Sequence, residues 1–389
     1  MPTAAEFRST LQSLIDAPDV AGISLTGQYE SLTGRTVTPP AGTIRADGEV
    51  VGIFTTEDGR DAATIDSWGS VASRCEALLA GPFRGGALAD HLGYPLVIFV
   101  DEEGQILTTS VALSHRQADA TWRLARNELI EAGIDFAGIQ NGSRKNADAL
   151  IVGFPTAIPF GWWHSRTDRS EEGVKKKSNA KKKDALTDVR EDFLGHYVME
   201  PSVSRSARLF TAEIIAVGVH ERRRMAGKID PLFSAVAGDK TISGSKLSDL
   251  GLGAIPPGVT DKSRSDLTYE TIESRAFLSL TGLRSFGFDK VDGGAARVLS
   301  ATLPLLLYTL LQENLALRAG AELGLISPLT VEVVRQGAGR APLELPDIET
   351  LAELVRGLGE QIGWAGPRTV TIRSGSPLGR ILNLVAGAE

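Results

Sequence analysis

The stretch "VLSATLPLLLYTLL", residues 298–311, is the longest apolar run of the chain. It is shorter than the ~20 apolar residues that a membrane-spanning helix needs. Gln312, Glu313 and Asn314 follow it at once. It therefore reads as a buried helix, part of a helix over 296–320 with a kink at Pro304. A helix of this kind has to be covered by other elements. The chain has the means, since 42% of its 389 residues are apolar and 23% are charged. That balance is ordinary for a globular protein with a real core, built as two or three domains or as one elaborated domain. Cys75 is the sole cysteine. It excludes an internal disulfide framework and a multi-cysteine metal site, and it fits a reducing cytoplasm. The N-terminal "MPTAAEFRST" has neither a basic nor an apolar targeting segment, so neither secretion nor membrane insertion is expected.

Strands and helices alternate without a regular βαβ rhythm, which predicts an α+β fold. Residues 21–40 read as a strand and a loop ending at Pro39 and Pro40, and 49–54 as a short strand. Residues 65–80 read as a helix capped by Asp66 or Ser67, with Val71, Cys75, Leu78 and Leu79 facing inward. "YPLVIFV", "DEEG" and "QILTTSV" predict a hairpin over 94–111. Ser114 and Gln117 form a capping-box pattern that opens a helix ended by Gly133. Residues 141–203 read as a long insertion, partly disordered. A strand is expected at 207–220, and one long or two short strands at 266–283. Another loop-like insertion, 236–265, separates them. The tail predicts a strand (329–335), a helix (348–362), a strand (368–373) and a helix (377–386).

Catalytic signatures are missing. There is no P-loop, no G-x-S-x-G elbow and no H-E-x-x-H. "GLGEQIG" (357–363) follows a helix rather than a strand, so it does not read as a dinucleotide loop. His91, His115, His164, His196 and His220 show no metal-ligand spacing. Cys75 sits on the apolar side of its helix, where a buried, inert thiol is expected. Neither a metal, nor a cofactor, nor a catalytic residue is predicted.

Positive charge is concentrated instead. The chain carries a formal charge of −7, yet six lysines fill Lys175, Lys176, Lys177, Lys181, Lys182 and Lys183. From His164 to Lys183, eight Lys or Arg face Asp168, Glu171 and Glu172, a local charge of +5. Arg205, Arg208, Arg222, Arg223, Arg224 and Lys228 face only Glu213 and Glu221, a local charge of +4. Such segregation is the footprint of a polyanion-binding groove on a body that otherwise repels polyanions. Lysines in a flexible loop suit phosphate backbones, because each ammonium is a point charge that displaces counterions. Trp162 and Trp163 precede the run, and single-stranded bases stack on aromatic faces beside basic groups. In "TTSVALSHR" (108–116), hydroxyls stand before His115 and Arg116 in the predicted first helical turn, an arrangement suited to phosphate. Each feature has a plainer reading: a solvated loop for the lysines, core anchors for the tryptophans, a simple helix cap for Ser114.

The order of these pieces resembles the Cas-seven-type backbone subunit of class 1 CRISPR effector complexes, in the RAMP superfamily. Its type I-U branch, also called I-G, is the closest in flavour. Four stretches carry the likeness. "LTGRTVTPPAG" (32–42) resembles the family's early strand with a basic residue and a proline-containing loop. "SWGSVASRCEALL" (67–79) resembles its S-x-x-S-x-A-N-R-x-E helix, with Ser67, Ser70, Ala72, Arg74 and Glu76 in place and Ser73 where the pattern has Asn. "TTSVALSHR" resembles a T-S-S-x-x-x-x-H-R segment. "LALRAGAEL" (315–323) resembles the L-R-L-R-x-x-x-x-L end of a long helix. More loosely, 207–230 resembles the central strand and the loop near the thumb.

The resemblance implies a modified RRM-like (ferredoxin-like) palm over residues 1–389. Its large insertions, 141–203 and 236–265, would form thumb- or finger-like elements, and 326–389 would complete the palm as an α/β extension. It implies a cytoplasmic, non-catalytic subunit of a Cascade ribonucleoprotein in antiviral defence, binding guide RNA (crRNA). Copies would line up as a filament along the guide and present it to target DNA beside other Cascade subunits. Candidate RNA contacts are Arg35, Ser70, Arg74, Thr109, Ser110, His115, Arg116, Arg208, Arg222, Arg223, Arg224 and Lys228, with the lysine run as a nucleic-acid loop. Two alternatives stand beside this reading. One is a superfamily endoribonuclease using Asp230 or Asp239; the other is a protein-interaction subunit without direct RNA contact.

Overall fold

The computed structural model describes residues 1–43, 52–164, 203, 205–224, 226–228, 255–258, 265–313, 315–337 and 339–386. The fold is mixed α and β, arranged around a curled antiparallel sheet, a half-barrel. Nine strands of the described residues build it: β1 Val20–Ser31, β2 Ile53–Thr55, β3 Asp61–Asp66, β4 Phe210–Val217, β5 Thr271–Ser279, β6 Leu315–Arg318, β7 Ala321–Leu325, β8 Thr330–Arg335 and β9 Gly339–Pro342. The order is β6-β7-β1-β5-β4-β3-β2, and β8 pairs with both β1 and β9. Strand β1 is long enough for two partners on one edge. Val20 to Thr26 pairs with β8, and Tyr29 to Ser31 with β7. The strand predicted at 329–335 thus joins the central sheet.

The apolar run lies in a helix, Gly293–Gln312, which continues through Pro304. Asp292 caps it by accepting from the Gly294 and Ala295 amides. Ser300 and Thr302 are buried, and their hydroxyls donate to the carbonyls of Ala296 and Val298 at 2.8 Å each. No polar group is stranded at either position. The helix packs against Ala4–Asp16, Trp68–Ala80 and Ile348–Ile362. It meets the sheet through Tyr308, whose hydroxyl donates to Ser274 Oγ on β5 at 3.0 Å. Tyr29 on β1 lies 2.9 Å from the same oxygen and donates to Gln312 Oε1 at 2.5 Å. The inner face of the sheet is otherwise apolar, with Ile23, Leu25, Phe210, Ile214, Ile272 and Leu278 buried. By length and composition this helix is the one described element that could cross a membrane, but 78% of its apolar window is buried inside the protein.

Several elements differ from expectation. Residues 114–133 are not one helix. They form a 3-10 turn (Arg116–Ala118) and two short helices, Ala120–Leu124 and Arg126–Glu131. Asp119, not Ser114, caps the first of these helices. Arg116 adopts φ +56, incompatible with a helical first turn. Residues 315–323 are not a helix end. The helix stops at Gln312, and the chain turns into the β6–β7 hairpin around Gly320, at φ +80. Residues 141–164 are not an insertion. Leu150, Ile151, Phe154, Ile158, Phe160 and Trp162 are all core residues. The region 266–283 is two strands, Ser265–Thr268 and β5, followed by a short helix, Leu280–Leu283. Most of 236–265 lies outside the described residues.

Truncating a core residue of the long helix removes transfer free energy and leaves a cavity. Leu306 is fully buried. Leu306→Ala is expected to cost ~2–5 kcal/mol, measured as a lowered urea midpoint with an unchanged m-value; an unshifted midpoint would contradict this packing.

Candidate nucleic-acid interface

The predicted basic residues fall into two patches. The first lies on a small sheet in which His220–Arg223 pairs with Ser265–Thr268, and that strand pairs with Thr36–Val37. Arg35 immediately precedes Thr36–Val37 at one edge, and Arg222, Arg223 and Arg224 lie on or just after the strand at the opposite edge. All four are exposed. Arg222 stands opposite Asp266 in the ladder. Arg224 pairs with buried Asp266, which also accepts from Thr38 Oγ1 at 3.0 Å. Arg223 reaches Glu221 at 3.3 Å. Lys228 lies on Ala226–Lys228, paired with Ile255–Gly258.

Two further arginines fasten this patch to the body. Arg318 donates to the carbonyls of Thr38 (2.9 Å) and Ile65 (2.8 Å). Arg74 donates to the Leu317 carbonyl at 3.0 Å and lies 3.3 Å from Asp66 Oδ2. Burial raises the Asp66 carboxyl above its usual range, against the pull of Ser70, Arg74 and Arg318. Arg74 is half-buried and Ser70 bonds to Asp66, so both are engaged within the fold.

The second patch gathers around Trp162–Trp163, which pairs with Arg205–Ser206. The tryptophans divide their roles. Trp162 is buried and its indole N–H donates to the Val203 carbonyl at 2.8 Å. Trp163 is 59% exposed, with the His115 ring edge-on at 6.4 Å. Arg144, Trp163, Arg205 and Ser206 line an open pocket of about 530 Å³. Arg144 donates to Ser206 Oγ at 3.1 Å and lies over the Phe286 ring at 5.7 Å. An exposed indole in a pocket shared with two arginines offers a face of the kind on which unpaired bases stack.

Arg116, expected to meet phosphate, is instead buried between the patches. Its guanidinium donates to both Glu76 oxygens, at 2.8 and 2.7 Å, and to the Gly161 carbonyl at 2.9 Å. With no solvent-facing donors to offer, it is a brace beneath the Trp162–Trp163 strand. Burial raises the Glu76 carboxyl, and Arg116 works in the opposite sense. Arg208 is exposed, and its guanidinium lies near Gly69, in the first turn of Trp68–Ala80. Ser110 is another correction. It is buried, and its hydroxyl accepts from the Val97 amide at 3.1 Å. Thr109 pairs opposite Ile98 in the hairpin and is half-buried. Lys175 to Lys183, Asp230 and Asp239 lie outside the described residues.

Two participants were missed at the sequence level. Arg144 is an isolated arginine in "GSRKN", with no pattern to mark it. Arg318 sits where a helix was expected. The open face of the large sheet is not the basic surface. Arg275 and Arg340 there are paired with Glu273 and Glu332, and Glu213 stands opposite Arg275 across the strands.

Residues 23–180 match the family model described as CRISPR-associated protein GSU0053. The stretch runs from β1 to the lysine run and includes Arg35, Arg74, Arg144 and Trp163. That stretch is thus similar to a CRISPR-associated family. No curated protein matches the chain.

His164, beside Trp163, is 1% exposed, and Gln140 Nε2 lies 3.4 Å from its Nδ1. Burial, then the charges of Arg123 and His115, push its pKa from 6.5 down to about 4. An unfolded chain binds this proton at a higher pH than the folded one does. Its contribution to stability is therefore complete above pH 6.5 and is lost as the pH falls towards 4. At pH 5 the loss amounts to ~2 kcal/mol. His164→Gln is expected to flatten this part of the urea-stability profile between pH 7 and 5; a variant that tracks wild type would remove the assignment.

Proposed function

We propose that the protein is a non-catalytic guide-RNA-binding subunit of a CRISPR defence complex, with copies aligned along the guide and presenting it to target DNA beside other Cascade-type subunits. The observation that carries this reading is exposed Trp163, edge-on to His115 and flanked by Arg144 and Arg205. In sequence the lysine run follows this strand closely. Stacking on Trp163 holds a base without reading it. Arg205, Arg208, Arg35, Arg222 and Arg223 supply exposed cations for the backbone, and the run Lys175–Lys183 adds six point charges. Arg224 and Lys228 follow these arginines in sequence. In RNA-guided complexes, base pairing reads sequence while the protein holds shape and charge. Contacts of this kind need no catalytic group.

Trp163→Ala is expected to weaken single-stranded RNA binding by ~5- to 150-fold, the worth of one stacked base, with little change in salt dependence. Arg205→Ala and Arg222→Ala should each lower the slope of log K against log salt by roughly 0.7, for every RNA sequence alike. Fluorescence anisotropy with labelled guide RNA reads both effects. RNA affinity unaltered in all three variants would refute the interface, and regularly spaced cleavage of the RNA would favour an endoribonuclease.

A further inference from the structure

A second cleft lies between the helices Phe136–Gln140 and Asp148–Gly153 and the segment 363–368. Its volume is about 420 Å³, within the ~300–1,000 Å³ of clefts that hold small ligands. The walls are apolar, formed by Val97, Ile134, Ile139, Val152 and Val291. Lys290 and Arg368 are exposed cations at its lining, and Asn141 and Asn146 contribute amides. Two carboxylates also line it, but both are engaged. Asp135 accepts from the Gly138 amide at 2.9 Å. Asp148 accepts from the amides of Asp289, Lys290 and Val291 at 2.9–3.1 Å. That second set holds Lys290 in place at the cleft.

Glycines keep the space open. A Cβ on Gly153 would come within 2.5 Å of Ile139. Gly363 and Gly366 have φ of +97 and +77, so side chains are disfavoured there too.

We infer that this cleft is a nucleotide site, taking one nucleoside monophosphate with its base between the apolar walls and its phosphate against Lys290 and Arg368. A slot walled by Val and Ile suits a flat ring. Asn141 spends its Nδ2 on the Ala137 carbonyl at 2.9 Å and keeps Oδ1 as an acceptor. Asn146 adds a second amide for a base edge. Asp135 and Asp148 direct oxygens at backbone amides, which leaves Lys290 and Arg368 as the charged groups that can meet a phosphate. The nucleotide has two sources, a free mononucleotide or the phosphorylated end of an RNA. The second source rests on the RNA-binding reading above; the first does not.

The test uses the full chain and a fluorescent AMP analogue, with adenosine and inorganic phosphate as partial probes. Wild type is expected to bind the analogue and release it to AMP, with adenosine and phosphate each weaker by tenfold or more. Lys290→Ala should weaken binding about tenfold, and Ala365→Trp, which fills the cleft from its rim, should abolish it. Both variants should keep wild-type affinity for internal RNA sequence at the Trp163 patch. Release by 5′-phosphorylated but not 5′-hydroxyl RNA assigns an RNA end; release by AMP alone assigns a free nucleotide; either supports the site. Absence of analogue binding, or binding equal to wild type in Ala365→Trp, overturns it. Neither result touches the Trp163 interface, which fails only if Trp163→Ala, Arg205→Ala and Arg222→Ala all leave RNA affinity unaltered.

Discussion

The burial of one apolar helix constrains everything else in this fold. Gly293–Gln312 is apolar on nearly all sides, with 14 of its residues buried. A helix of that kind has no solvent face and must be enclosed. The half-barrel sheet covers one side, and the helices Ala4–Asp16, Trp68–Ala80 and Ile348–Ile362 cover the others. These elements come from both ends of the chain, so the N-terminal helix and the C-terminal α/β segment depend on each other through it. The Tyr29–Ser274–Tyr308 cluster fixes where helix and sheet meet, because three buried hydroxyls can be satisfied together only in one register.

Arginine divides between two tasks. Arg74, Arg116, Arg284 and Arg318 donate to backbone carbonyls within the fold. Arg284 alone serves the carbonyls of Ile15, Ala17 and Val20 where the first helix gives way to β1. The planar, five-donor guanidinium suits this work, and lysine does not. The arginines left for a ligand, such as Arg35, Arg205 and Arg222, stand on short strands at the rim. All of the lysine run lies in one stretch, consistent with a point charge that needs no fixed geometry.

This division explains what could be read from the sequence. Strands β1, β4, β5 and β8 and the helices Trp68–Ala80 and Ile348–Ile362 were legible, because alternation and a 3.6-residue period report burial directly, whereas β3, β9 and the helix Ala4–Asp16 were not read. The hairpin at 94–111 and the Ser67 cap were legible from turn and capping chemistry. The helix expected after Ser114 failed because local capping grammar lost to a tertiary demand. Arg116 takes φ +56 to aim its guanidinium at Glu76, and no propensity encodes that pairing. The β6–β7 hairpin was hidden for a related reason, since "LALRAGAEL" is rich in good helix formers. Strand β1 offers it an open edge and overrides the propensity. Of the site, the clustering of charge was visible, but which arginines face solvent was not.

The same geometry bears on how an acidic protein can hold a polyanion. On the open face of the large sheet, Arg275 and Arg340 are matched by Glu273 and Glu332, with Glu213 close by, so phosphate gains little there. Exposed arginines sit instead on the small sheet and around Trp163, where the fold exposes an aromatic ring as well. Repulsion from the body then acts in favour of the interface, because a strand displaced from the rim meets carboxylates on either side. In the proposed complex a single strand would be held where attraction and stacking coincide, above the Arg116–Glu76 pair that braces the Trp162–Trp163 strand through the Gly161 carbonyl.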